Sequence, residues 1–142
     1  GLQAHAVEAG NSPLPENYDA FVIGSPLYGG KWISVAGLFA ALNAGRIKEK
    51  PVALFSMGGL SVKHPKAGLA QHKEFLKNLL EVAPGLNVVS DAIFTGYFER
   101  SNLPWYLKIV DRFAPTPQGD HRDWSKIQIW SRSLVTKFRP TK

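Results

Sequence analysis

Tyr18-Asp19-Ala20-Phe21-Val22-Ile23-Gly24-Ser25-Pro26-Leu27-Tyr28-Gly29-Gly30-Lys31-Trp32 decides how this chain is read. Residues 20–23 are a short apolar run with β-branched and aromatic members, the signature of a strand covered on both faces. The run halts at Gly24. Ser25, Pro26, Gly29 and Gly30 then predict a turn-rich loop that carries the rings of Tyr28 and Trp32. Helical periodicity begins at about Ile33. A loop just past the carboxyl end of such a strand is where open α/β sheets bind their ligands.

The flanking sequence repeats the strand-then-helix alternation. Upstream, residues 3–8 alternate loosely and predict a strand. Downstream, Val35, Leu38, Phe39 and Leu42 recur at helical spacing and predict a core-facing stripe. Residues 52–55 form a second apolar run that ends in Ser56-Met57-Gly58-Gly59. From residue 68 to 83, Leu69, His72, Phe75, Leu76, Leu79 and Leu80 mark a second amphipathic helix, closed by Pro84-Gly85. Residues 88–94 predict another strand, ending at Thr95-Gly96-Tyr97. A short helix follows Asn102, with Leu103, Leu107, Val110, Trp105 and Phe113 as candidates for its apolar face. The last helix starts near Asp123, a good N-cap residue, and carries Trp124, Ile127, Trp130, Leu134 and Phe138 at spacings of three and four. Strands alternating with amphipathic helices predict an α/β fold, a doubly wound parallel sheet in three layers. The 142 residues suffice for one domain with one core.

Composition narrows the function classes. No apolar run reaches the roughly 18–20 residues that a membrane-spanning helix needs. There is no cysteine, so disulfides, thiolate nucleophiles and zinc–sulfur sites are excluded, as suits a cytoplasmic protein. The net charge of +6 is unevenly placed: residues 100–142 carry nine basic and three acidic side chains, while the remainder is balanced. A basic end region suits an anionic membrane surface, an acidic partner or an anionic substrate, and equally a plain solvated helix face. Nucleic acid is not an expected partner, because no recognition motif accompanies the charge. Self-association into a homo-oligomer is allowed by the sequence.

Three predicted strands end in glycine: Gly24 with Gly29 and Gly30, Gly58 with Gly59, and Gly96. In an open α/β sheet these ends converge, and glycine lets backbone groups approach a planar ligand closely. With Tyr28 and Trp32 nearby, a heteroaromatic cofactor suits the loops better than a sugar phosphate. The same residues also suit ordinary tight turns with gap-filling rings. His5, His64, His72 and His121 show no metal-ligand spacing, and His72 falls on a core-facing helix position as a packed histidine would. There is no hydrolase elbow, no Walker loop and no dinucleotide fingerprint. Asp120, Arg122 and Asp123 read as a cap with a local ion pair.

Taken together, several of these motifs resemble one family. Tyr18-Asp19-Ala20, Val22-Ile23-Gly24-Ser25-Pro26, Tyr28-Gly29-Gly30 and Trp32 look like the third strand and first flavin loop of flavodoxin-domain proteins. Phe55-Ser56-Met57-Gly58-Gly59 is similar to their fourth strand and second flavin loop. Phe94-Thr95-Gly96, Leu103-Pro104-Trp105 and Gly119-Asp120-His121-Arg122-Asp123-Trp124 resemble the subfamily of the menaquinone-dependent protoporphyrinogen dehydrogenases. The resemblance implies a flavodoxin-like sheet of order 2-1-3-4-5, FMN as cofactor and an oxidoreductase or electron-transfer role. Ser25, Pro26, Leu27, Tyr28, Gly29 and Gly30 would hold the inner edge of the flavin, with Tyr28 or Trp32 against the ring. Ser56, Met57, Gly58 and Gly59 would meet its pyrimidine end, through backbone amides at the last three. The resemblance also implies an opening strand and phosphate loop ahead of residue 1, so this polypeptide alone is expected to hold FMN weakly. Residues 61–66 and 100–112 are shorter than the substrate- and membrane-contacting insert of those dehydrogenases. A non-catalytic module that docks a protein or an anionic surface through Arg132, Lys137 and Arg139 is the alternative function.

Overall fold

The structure is a computed structural model that describes residues 2–11, 15–32, 34–113, 115 and 117–139. The expected start of the first helix at Ile33 lies outside the described residues, as does the Val110 side chain. Three parallel strands form the centre: β1 (Phe21–Tyr28), β3 (Pro51–Met57) and β4 (Asn87–Phe94). A two-residue strand, β2 (Lys31–Trp32), folds back on β1, which gives the order β2-β1-β3-β4. The helices are α1 (Ser34–Ile47), α2 (Leu60–Lys63), α3 (Pro65–Val82), α4 (Trp105–Phe113) and α5 (Trp124–Lys137). A separate antiparallel ribbon joins β5 (Tyr97–Phe98) to β6 (Gly119–Asp120). This is the α/β architecture expected from the alternating pattern, with its parallel strands adjacent in the sheet.

Strand parity sorts the layers. Val52, Leu54 and Ser56 point to the α1 and α3 side, where Ile23, Ala40, Ile47, Leu76 and Leu79 complete the main core. Phe55 and Phe94 point the other way and meet the Trp130 ring of α5 edge-on, at 5.9 and 5.5 Å. Asp123 caps α5 by accepting the Lys126 amide at 3.1 Å, as its position predicted.

Three expectations are corrected. First, residues 3–8 form no strand and lie exposed. Alternation alone cannot hold a strand; it needs a neighbouring strand to take its backbone bonds, and among the described residues no strand pairs with this segment. Second, β1 does not stop at Gly24 but runs on to Tyr28, paired with β3 as far as Pro26↔Met57. Gly24 is there for packing rather than termination. A Cβ on it would stand 2.0 Å from the Phe55 ring, so only glycine lets that ring lie across β1. Third, α1 buries Ala36, Ala40, Ala44 and Ile47, while Val35, Leu38 and Leu42 face solvent.

Candidate functional site

A cavity of about 540 Å³ opens at the carboxyl ends of the three parallel strands, a volume typical of small-molecule sites. Its first wall is the end of β1 and the hairpin after it: Pro26, Leu27, Tyr28 and Gly29. Gly29 and Gly30 have φ of 56° and 77°, so both occupy the left-handed region that a tight two-residue hairpin demands. The second wall is Met57, Gly58 and Gly59, which close β3 and lead into α2. The third comes from beyond β4: Gly96, Tyr97 and Phe98. Leu107 and Asp111 of α4, with His121, complete the far side.

Seven of the eleven residues singled out from the sequence line this cavity, and four lie behind it. Ser25 is buried and donates its hydroxyl to Pro26 O at 3.0 Å. Gly30 serves the hairpin turn. Trp32 packs into the core, its ring stacked on Phe75 at 4.8 Å, and its Nε1 donates to Ser56 Oγ at 2.7 Å. Ser56 is fully buried beneath the second wall. The Gly58 amide, expected to meet a ligand, donates instead to Phe94 O at 3.0 Å, which ties the second wall to the third.

Sequence reading named Gly96 among the converging strand ends but missed what supports that wall. His121 donates its amide to Gly96 O at 3.0 Å, and Thr95 Oγ1 donates to His121 O, so β6 is pinned to the end of β4. His121 Nε2 lies 2.9 Å from Gln118 O, a contact that places the ring proton on Nε2. Asp111 is buried and faces Arg100 Nε at 3.3 Å, so its charge is compensated where it borders the cavity. Lys63 donates to Pro115 O at 3.0 Å and supplies positive charge at the rim. On the outer edge, Arg122 holds Asp120 through two side-chain bonds of 2.6 and 2.8 Å. These bonds draw the Asp120 carboxyl down to about 2. The sequence hint was the Gly119–Trp124 motif, whose capping and ion-pairing roles were legible but whose approach to Gly96 was not.

The cavity suits a flat, aromatic ligand. Its walls offer the phenol rings of Tyr28 and Tyr97 and stretches of bare glycine backbone. Ser61 Oγ is buried with no hydrogen-bond partner among the described residues, 3.6 Å from where a Cβ on Gly58 would stand.

The sequence matches the family model described as Flavodoxin domain over residues 2–124. The chain belongs to the flavodoxin-domain family. In this flavodoxin-domain chain the first and second walls are the two loops whose motifs carried the resemblance. Among solved structures it is similar to a flavoprotein in complex with FMN from Lactobacillus acidophilus, at 27% identity and a TM-score of 0.39. The match covers 58% of this chain and 48% of that one, so it spans about half of that protein's length. No curated protein matches the chain.

Proposed function

We propose that the chain is a single flavodoxin-like domain that binds FMN in this cavity and serves an oxidoreductase or electron-transfer reaction. The observation that carries the reading is the convergence of Pro26–Gly29, Met57–Gly59 and Gly96–Phe98 at the carboxyl ends of β1, β3 and β4. Family membership supports it. Tyr28 and Gly29 on one wall, and Met57 and Gly59 on the other, would hold the ring. FMN would supply the electron transfer itself, and the protein would tune it by hydrogen bonding and by excluding water. Among the lining residues the cationic candidate for a phosphate is Lys63.

Titration of the purified protein with FMN tests the reading. Flavin fluorescence that is quenched to saturation as protein is added in excess is expected. FMN that stays fully dialysable, with unchanged fluorescence, overturns it. Within this class, protoporphyrinogen oxidation is the sharper option. The basic last third and Lys63 at the rim suit the propionates of a porphyrinogen. Porphyrin fluorescence appearing when the FMN-loaded protein meets protoporphyrinogen and a quinone would establish that substrate, and its absence would remove it.

Docking through the basic last helix has less support. Arg132, Lys137 and Arg139 are all exposed, but Lys137 already donates to Ser90 Oγ of the sheet at 3.0 Å, so one of the three proposed docking cations is engaged within the chain. Salt-insensitive or absent binding to anionic vesicles would discard this alternative.

A further inference from the structure

Beneath the cavity runs a chain of buried polar contacts that the site itself does not use. Trp32 Nε1 donates to Ser56 Oγ at 2.7 Å, Ser56 Oγ meets His72 Nδ1 at 2.8 Å, and His72 Nε2 meets Asp91 Oδ2 at 3.1 Å. Lys73 Nζ closes the outer end on Asp91 Oδ2 at 2.7 Å. Ser56 and His72 are both fully buried. The sequence of contacts resembles a Ser-His-Asp triad, but Ser56 is fully buried and does not line the cavity, so it is not placed to meet a substrate there.

The donors and acceptors admit one assignment. An indole N–H only donates, so Ser56 Oγ accepts from Trp32. The Ser56 hydroxyl proton is then free to point at His72 Nδ1, which must accept it. The ring proton therefore sits on Nε2 and is given to the Asp91 carboxylate. Protonating Nδ1 reverses the inner bond. Ser56 Oγ would receive two donors, and its own buried hydroxyl proton would lose His72 Nδ1 as its acceptor. Ser56 immediately precedes Met57, and His72 immediately follows Gln71, and both of those neighbours line the cavity.

We propose that His72 is a positioning residue of the cavity: as the neutral Nε2–H tautomer it fixes Ser56, and through it Trp32 and the base of the Met57-Gly58-Gly59 wall, and its protonation loosens that wall. The ionisable groups acting on the ring are Asp91 on β4 and Lys73 on α3, while its contacts on β3 and β2, Ser56 and Trp32, are neutral. Burial lowers the His72 pKa, and the bond and charge of Asp91 only partly restore it, in keeping with a ring held neutral. The inference rests on the cavity being the flavin site, but its central test needs no flavin.

Nitrogen-15 NMR of the ligand-free protein across pH 8 to 4.5 reads the ring directly. The Nε2–H tautomer is expected at pH 8. The Trp32 indole N–H and the Gly58 and Gly59 amides are expected to shift with the same midpoint as the ring, below the ordinary histidine value. In H72Q, which can still donate to Asp91, those shifts are lost. S56A, which cuts the link and leaves the histidine, uncouples the glycine amides from the ring. An Nδ1–H tautomer, a ring that stays neutral until the protein unfolds, or glycine amides that stay put while it titrates overturns the inference. With FMN added, affinity falling below the midpoint in the wild type and flat in H72Q extends the result to the ligand. Failure of all variants to bind FMN strikes the functional reading and leaves the ligand-free titration to decide this one.

Discussion

α1 and α3 cover the same face of the sheet and present opposite sides of themselves to it. α3 follows the usual rule, with Leu76 and Leu79 buried and lysines outside. α1 inverts it. Its buried line is Ala36, Ala40, Ala44 and Ile47, and Leu42 keeps 71% of its surface in water. A row of alanines lets a helix backbone lie close to the strands, so small residues can mark the buried side more faithfully than large ones. The exposed Val35 is neighboured by the short 3₁₀ turn Ala9–Asn11, where a Cβ on Gly10 would stand 3.5 Å from it. α3 differs again in carrying a buried titratable group, His72, where α1 is wholly apolar inside.

Four measurements sharpen or break this contrast. Leu79→Ala in α3 should cost about 2–5 kcal/mol in chemical denaturation, the toll of a large-to-small change in a core. Ala40→Leu in α1 should cost about 1–3 kcal/mol by overpacking, because its side chain has no exposed surface. A stabilising or neutral result there would mean that α1 does not sit tightly on the sheet. The third contrast is with pH. The folded state holds the His72 pKa below its unfolded value, so the unfolded chain takes up the proton first. Stability from this group is full above the unfolded value of about 6.5 and declines as pH falls through it, levelling off below the folded value. That acid-side slope, measured between pH 7 and 5, should vanish in H72Q and persist in any α1 variant. The smallest effect is expected from Leu42→Ala, within about 0.5 kcal/mol of wild type, since the leucine buries little. A loss as large as that of Leu79→Ala would show that the outer face of α1 is covered in solution.

Much of the fold was legible because strands and helices leave periodic marks. The parallel strands were found from the apolar runs of residues 20–23 and 52–55 and the strand pattern of residues 88–94, and Asp123 announced the last helix. The errors share a cause. Gly24 reads as a stop in isolation, and only the Phe55 ring across it explains why the strand continues. Trp32 reads as a ring for a ligand, yet its stacking partner Phe75 lies far along the chain. The first two cavity walls are local in sequence and could be read. Of the third, Gly96 was legible as a strand end, but the His121 amide that braces it through Gly96 O has no local signature. His72 looked like one more packed core residue, and nothing in its own helix indicates the Ser56 and Asp91 it joins.

The small ribbon of Tyr97↔Asp120 and Phe98↔Gly119 has a consequence for how this molecule can vary. It clips together the two ends of the excursion that holds α4, independently of what lies between them. Once those ends are fixed, each doubling of the enclosed length adds only about 0.6 kcal/mol of closure entropy. The excursion is therefore an interchangeable cassette. A longer or differently shaped insert could be grafted between Phe98 and Gly119 to give the mouth of the cavity a new selectivity, with the sheet and the β1 and β3 walls left as they are.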